Sequence, residues 1–265
     1  MSRLFRSLAA ALLIGTPATA QESSNAALAQ QLANPVANLS TLPFQFNSDH
    51  GFPGGTGERA FMLLQPVIPF SVGENWNLIT RTIVPVYNQD ISDEKGRQIG
   101  FGPTTQTFFF SPRSFSGDGL IWGAGPVLLL PTVSDDIANR QWGAGISGVL
   151  VKQTQQGFTM GLLANQIWSI SDEDEYGELS QMYLQPFLGY RTPGAYVFAI
   201  NTESTYDWIN EEWSVPINLM AGKVFSIGNQ SMQFRAGARY WADAPEYGPE
   251  GWGARAELTF IFPRK

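Results

Sequence analysis

The sequence predicts an all-β fold: an antiparallel transmembrane outer-membrane β-barrel of about twelve strands, preceded by a short N-terminal helical segment. Three observations predict it. Residues 252–262, WGARAELTFIF, alternate strictly between two faces. The connections between such stretches alternate in length, with the acids gathered in the longer set. The eight tryptophans lie at or beside strand ends.

In 252–262 the even positions are Trp252, Ala254, Ala256, Leu258, Phe260 and Phe262, while the odd ones include Arg255, Glu257 and Thr259. Period two makes a strand, because successive side chains point to opposite faces. One face is apolar; the other carries a cation, an anion and a hydroxyl. A soluble sheet would pack the first face on a core. A membrane barrel turns it to lipid and turns the second face to a lumen. A periplasmic β-sandwich is therefore the competing architecture, and the rest of the chain decides.

Residues 1–20 read as a secretory signal peptide, with Arg3 and Arg6, an apolar run over 8–14 and the small residues Ala18-Thr19-Ala20. The run is too short for a spanning helix, and no later stretch is long enough either. Cysteine is absent, which excludes disulfides, thiolate metal sites and cysteine nucleophiles. Removing the two leader arginines takes the net charge from −7 to −9, unsuited to a nucleic-acid partner. Hydrophobic content is 43% with mean hydropathy of only −0.10, and there are 27 glycines, a mixture that fits strands and turns.

Residues 21–40 form an N-terminal segment ahead of a barrel over 41–265. Its stretch ESSNAALAQQLANPVANL places Leu28 and Leu32 on one helical stripe, and Pro35 ends it. Two readings stand: a plug that enters the lumen, or a periplasmic tail. Strands are then expected over 42–47, 59–70, 76–88, 104–112, 120–132, 142–153, 158–170, 179–190, 195–208, 213–225, 232–241 and 252–262. An even number lets both ends of a closed barrel lie on one side of the membrane. Several strands show the alternation in full. Gln45 and Asn47 oppose Leu42, Phe44 and Phe46. Asn201, Glu203, Thr205 and Asp207 oppose Phe198, Ile200, Tyr206 and Trp208. Gln233, Arg235 and Arg239 oppose Met232, Phe234, Ala236 and Ala238.

The short connections are 71–75, 113–119, 154–157, 191–194 and 226–230. The others are 50–58, 89–101, 133–141, 171–178, 209–212 and 242–251. The second set holds most of the acids, including Asp90, Asp93, Glu94, Asp135, Asp136 and the run Asp172-Glu173-Asp174-Glu175. Short periplasmic turns and long outer loops are the asymmetry of an outer-membrane barrel, which a sandwich has no reason to show. The connection 209–212 is an exception, short but acidic. Trp76, Trp122, Trp142, Trp168, Trp208, Trp213 and Trp252 are assigned to the membrane interface, where indole finds both an apolar and a polar environment. Against this stand Pro66, Pro69, Pro85, Pro126, Pro131, Pro186 and Pro216, within or near strands. Proline removes a ladder donor, so bulges or shorter strands are required.

The segments NPVANL, LQPVIPF, WNLITRTIVPV, FFFSP, WGAGPVLLLPT, NTESTYDW, WSVPINL and GPEGWG resemble, across nearly all of the chain after the leader, a proteobacterial outer-membrane "transporter" family. It is filed under the MetA pathway of phenol degradation and sometimes mislabelled neuromedin U. The resemblance implies an outer-membrane β-barrel and passage of small organic molecules. It carries over no binding residue. The chain departs from barrels generally in that Phe262 is followed by Pro263-Arg264-Lys265, so the aromatic is not terminal.

The function expected is an outer-membrane channel or transporter for small organic solutes, with a narrow lumen. About twelve strands lie between small filled barrels and open porins. By parity the lumen is lined by Gln45, Asn47, Arg81, Gln185, Asn201, Glu203, Asp207, Arg235, Arg239, Arg255 and Glu257. Two readings of the arginines are open. Arg235, Arg239 and Arg255 form a basic ladder for anions, or Arg239 and Arg255 pair with Glu203 and Glu257 to hold the barrel shut. The alternative function is a structural or binding barrel with a filled lumen. A barrel-surface lipase needs a histidine base, and His50, with Ser48 two residues away, is the single histidine, without a G-x-S-x-G. No catalytic, cofactor or metal site is assigned; the run over 172–175 lacks the spacing of a calcium loop. Expected partners are outer-membrane lipid and lipopolysaccharide, a small organic solute and the barrel-assembly machinery.

Overall fold

The computed structural model describes residues 16–114, 119–134, 137–138, 140–171 and 177–263, the side chains of 16–20 excepted. Most of the expected leader, the acids at 135, 136 and 172–175, and the terminal Arg264 and Lys265 lie outside the described residues.

A helix, α1 (Thr16–Leu32), precedes the sheet. The strand segments are β1 (Ser40–Asp49), β2 (Glu58–Leu64), β3 (Val67–Val72), β4 (Trp76–Asp90), β5 (Gln98–Phe101), β6 (Thr104–Pro112), β7 (Leu120–Leu130) and β8 (Gly143–Gln153). They continue as β9 (Phe158–Ser169), β10 (Ser180–Arg191), β11 (Tyr196–Thr202), β12 (Ser204–Asp207), β13 (Glu212–Ile227), β14 (Gln230–Asp243) and β15 (Gly251–Phe262). Neighbours run antiparallel, and β15 pairs back onto β1, from Ser40 opposite Phe262 to Ser48 opposite Ala254. The sheet therefore closes. β2 with β3, β5 with β6, and β11 with β12 are each one barrel strand interrupted part-way, which makes twelve strands in all. Among the described residues no helix is long and apolar enough to cross a membrane; the crossing elements are strands.

Alternation decides which side chains face where. In β15, Arg255, Glu257, Thr259 and Ile261 are buried, while Trp252, Ala254 and Phe262 are exposed. The outer surface carries large exposed apolar side chains around the circumference, such as Phe70, Ile146, Leu188, Leu219 and Phe234. Such a band needs a lipid environment. Two glycines let strands approach closely. A Cβ on Gly237 would run into the Leu219 carbonyl, and one on Gly253 into the Ser48 carbonyl.

Several prolines sit at seams, while Pro69 and Pro126 lie within β3 and β7. Backbone N–H groups of Gln65, Thr82, Gly102 and Glu203 donate to the carbonyls of Pro43, Pro66, Pro85 and Pro216, at 2.9–3.3 Å. Each proline withholds a donor but still accepts, so the ladder bends rather than ends. The β11–β12 break at Glu203 is flanked on both sides. β10 pairs β11 as far as Phe187 and β12 from Leu184, leaving Gln185 and Pro186 unpaired there, and the β13 register shifts at Val215/Pro216.

Several expected boundaries need correction. Residues 98–101, assigned to a loop, form β5 because β4 continues to Asp90 and Gln89 donates to Gln98 at 3.1 Å. β1 runs on to Asp49. β7 stops at Leu130, which puts Pro131 outside the wall.

Candidate functional site

Three neighbouring strands, β14, β15 and β1, bring most of the lumen's charge together. Asp49 is wholly buried between two guanidiniums: Arg59 Nη2 lies 3.0 Å from one carboxylate oxygen and Arg239 Nε 3.0 Å from the other. The Arg239 contact is an ion pair not aligned as a hydrogen bond. Trp241 Nε1 donates to the same oxygen at 3.1 Å, and the Arg239 guanidinium lies 4.7 Å from the Trp241 ring centre. Gly253 faces this carboxylate and leaves it room: a Cβ there would sit 3.3 Å from Asp49 Oδ1.

Glu203 forms the next link. Arg255 holds it in a fork, Nη1 to Oε1 at 2.8 Å and Nη2 to Oε2 at 2.6 Å, and Arg239 Nη1 lies 3.5 Å away. Two parallel charge-assisted bonds fix geometry as well as energy. Glu203 reaches this position because the β11–β12 break sets it in the lumen. Asn47 accepts from Arg255 Nε at 2.7 Å, and Asn218 bridges Asn201 and Arg239. A separate pair joins Arg235 to Glu257 at 2.7 Å, with Thr259 donating to the same carboxylate oxygen. Buried ions are tolerated when they are paired; each carboxylate here has at least one guanidinium, although the Nε atoms of Arg59, Arg235 and Arg239 are buried without a hydrogen-bond partner. The wall is thus cross-tied by charge from β2 through β1, β15 and β14 to the β11–β12 break.

Beyond this network the lumen holds several cavities, two of which share a border. The one nearer the long loops, of about 180 Å³, is lined by Leu63, Ile83, Leu129, Ile167, Gln181 and Tyr183 among others. The one nearer the short turns, of about 200 Å³, is lined by Gln45, Gln185, Asn201, Met220, Arg235 and Glu257 on the wall and by Leu32, Pro35 and Leu39 of the N-terminal segment. Both are bounded by Gln65, Arg81, Leu163 and Glu203, which form a waist. Arg81 Nη2 donates to Gln65 Oε1 at 2.8 Å, and Gln65 donates to Gln45 at 3.3 Å.

The inner mouth is occupied by α1 and the residues after it. Ala26, Leu28, Ala29 and Leu39 pack on Ala195, Val197, Val224 and Ile261 of the wall. Val36 enters a second cluster with Ile79, Phe109, Val149, Val151 and Leu163. Gln30 donates to Thr159 at 3.0 Å and accepts from Arg191 at 2.9 Å, and its carbonyl accepts from Gln153. α1 ends at Leu32, where Pro35 forbids continuation, and Asn34 caps the turn by accepting from the Val36 N–H at 3.1 Å.

Among the residues assigned from sequence, Arg81, Gln185, Asn201, Glu203, Arg235, Arg255 and Glu257 line the inner cavity, and Arg239 lies behind them in the ion-pair chain. Asp207 is a correction. It sits at the rim, where its carboxylate accepts from the N–H groups of Ile209 and Asn210 and holds the turn. Asp49, Arg59, Gln65, Tyr183 and Trp241 were missed. Asp49 was legible, because it continues the inward parity of Gln45 and Asn47. Trp76, Trp122, Trp142, Trp168, Trp208, Trp213 and Trp252 are all exposed on the outer surface, whereas Trp241 is not among the exposed large apolar side chains. Trp76 and Trp122 stack edge to face near the short turns.

His50 Nε2 does lie 3.0 Å from Ser48 Oγ on the exposed outer face. Among the described residues no carboxylate or amide is bonded to its other ring nitrogen, and nearby Asn88 accepts from Arg97 instead. A base with no group to orient it falls short of a triad. No group of His, Cys, Asp or Glu among the described residues could hold a metal ion.

A closed barrel, apolar outside and charged within, defines an outer-membrane β-barrel. The solved structures include similar barrels. An outer-membrane channel from Pseudomonas putida F1 has 16% identity and a TM-score of 0.64, over 84% of this chain and 94% of that one. Outer-membrane phospholipase A from Escherichia coli has 13% identity over 91% of this chain and 98% of that one, but its TM-score of 0.47 is too low to carry an argument. No family model matches the chain, so the family filed under phenol degradation stays a resemblance. None of the curated proteins matches it either.

Proposed function

We propose that this protein is an outer-membrane channel for small organic solutes, narrow at a polar waist and closed at its inner mouth by residues 21–39. One observation carries the reading: two lumen cavities share the waist at Arg81 and Glu203, and the inner one ends against a segment that docks through small apolar contacts and amide hydrogen bonds. The similar barrel of Pseudomonas putida F1 is described as an outer-membrane channel, which supports it. The outer tryptophans give the barrel its seat in lipid and lipopolysaccharide, and a β15 ending in Phe260 and Phe262 suits recognition by the assembly machinery. Solute transport, not surface hydrolysis, is the activity proposed, because the Ser48–His50 contact lacks an orienting third group.

The ion pairs favour a second reading, a filled structural barrel. Planar-bilayer conductance separates the two. The full chain and a version lacking residues 21–39 are refolded, and closure is confirmed by heat-modifiable migration. The channel reading expects conductance that rises when the segment is removed. Silence from both folded forms would overturn it in favour of the filled barrel.

A further inference from the structure

The ion-pair chain leaves charge over. Five arginines face this part of the lumen, Arg59, Arg81, Arg235, Arg239 and Arg255, against three carboxylates, Asp49, Glu203 and Glu257. Among the described residues no carboxylate lies within 4.0 Å of Arg81, whose side-chain partner is the neutral amide of Gln65. Arg235 gives Nη2 to Glu257, but its Nε is buried with no hydrogen-bond partner. Arg81 borders both cavities, and Arg235 lines the inner one.

We infer that Arg81 at the waist, with Arg235 beyond it, forms a binding site for the headgroup of a small amphiphilic monocarboxylate, a planar carboxylate on a compact apolar body. The inference rests on the channel reading and names its solute class. A guanidinium presents five donors in a fork that matches a carboxylate, and one amide uses little of that capacity. The half-buried guanidinium of Arg81 borders both cavities with donors left over, so an anion entering either one can reach it. The body of the solute would meet Leu63, Ile83, Leu129 and Leu163, which line the outer cavity and the waist. A cationic solute would be repelled by Arg81, and the one carboxylate at the waist, Glu203, is already held by Arg255 and Arg239. A neutral one would leave both guanidiniums as they are. The ladder thus divides: Arg239 and Arg255 tie the wall, while Arg81 and Arg235 are available to cargo.

Calorimetric titration of the refolded full chain in detergent with benzoate, benzyl alcohol and benzylamine tests this, because the three differ mainly in charge. Benzoate should bind about tenfold or more tightly than benzyl alcohol, the effect of a charged hydrogen-bonded contact, and benzylamine should bind weakest. Arg81→Gln should bring benzoate down to the level of the alcohol, and Arg81→Lys should restore part of the difference. Equal binding of benzoate and benzyl alcohol by the unaltered protein would overturn the proposal without needing a variant, and so would an Arg81→Gln barrel that keeps full benzoate affinity. A barrel that conducts but binds none of the three sinks the carboxylate site alone. A folded barrel that neither conducts nor binds sinks the channel reading with it.

Discussion

The barrel is tied together in two different ways at its two levels. Through the middle and towards the long loops, Asp49, Arg59, Arg239, Glu203 and Arg255 link strands by buried charge. At the inner mouth, α1 and the residues after it are held by alanines, single aliphatic side chains and the amide of Gln30. The first kind of contact is costly to break, because each ion left behind has lost its counter-charge. The second is divided among small terms of about 1 kcal/mol each. The difference teaches that the wall rests on a few strongly coupled charges, whereas the segment at the inner mouth rests on many small contacts that can be weakened one at a time.

The largest expected effect is therefore in the wall. Asp49→Ala leaves Arg239 and Arg59 facing each other without their carboxylate, and should cost about 3–5 kcal/mol. Urea unfolding in lipid vesicles, followed by heat-modifiable migration, reads it directly. A loss below about 1 kcal/mol would place Asp49 among weakly coupled surface charges and erase the contrast.

The closure should respond less. Val36→Ala removes two methyl groups from the cluster with Ile79, Phe109 and Leu163, for about 2 kcal/mol of docking energy. The chain has no cysteine, so Ala29→Cys, at a position of α1 fully buried against the wall, gives a single reporter of undocking. Maleimide labelling at that site should quicken by more than tenfold with Val36→Ala, while barrel unfolding is unchanged. If labelling and unfolding moved together, the segment would be part of the wall. Gln30→Ala comes next, at about 1–2 kcal/mol, since it strips Arg191 and Thr159 of a partner at a half-buried site. The same labelling assay reads it.

How much of this was legible follows from what sets each feature. The strands, the closure and the two faces of β15 were legible, because lipid outside and charge inside impose period two on every crossing. The inward set Arg235, Arg255 and Glu257 followed from the same parity. Pairing did not. Arg255 chooses Glu203 rather than its neighbour Glu257, because the β11–β12 break brings Glu203 to it, and that break depends on Pro186 and Pro216 in the flanking strands. A proline announces a lost donor, but the strand that bulges in response is a property of register. For the same reason β5 was read as loop: its reason to be a strand is the length of β4 beside it.

Asp207 gives the smallest effect and the sharpest check on how far parity can be trusted near the rim. It faces inward by alternation, yet its oxygens are taken by the N–H groups of Ile209 and Asn210 and by the Asn210 side chain. A carboxylate that caps an exposed turn exchanges one set of hydrogen bonds for water when the turn loosens, so Asp207→Ala should cost about 1 kcal/mol. On the proposed channel reading, solute would be sorted deeper than Asp207, at the waist bordered by Arg81. Zero-current potential across a salt gradient should therefore be unchanged by Asp207→Ala, whereas Arg81→Gln should move it towards cations. A shift from Asp207→Ala as large as that from Arg81→Gln would extend the selective region to the rim and make the long-loop end, not the waist, the place where solutes are sorted.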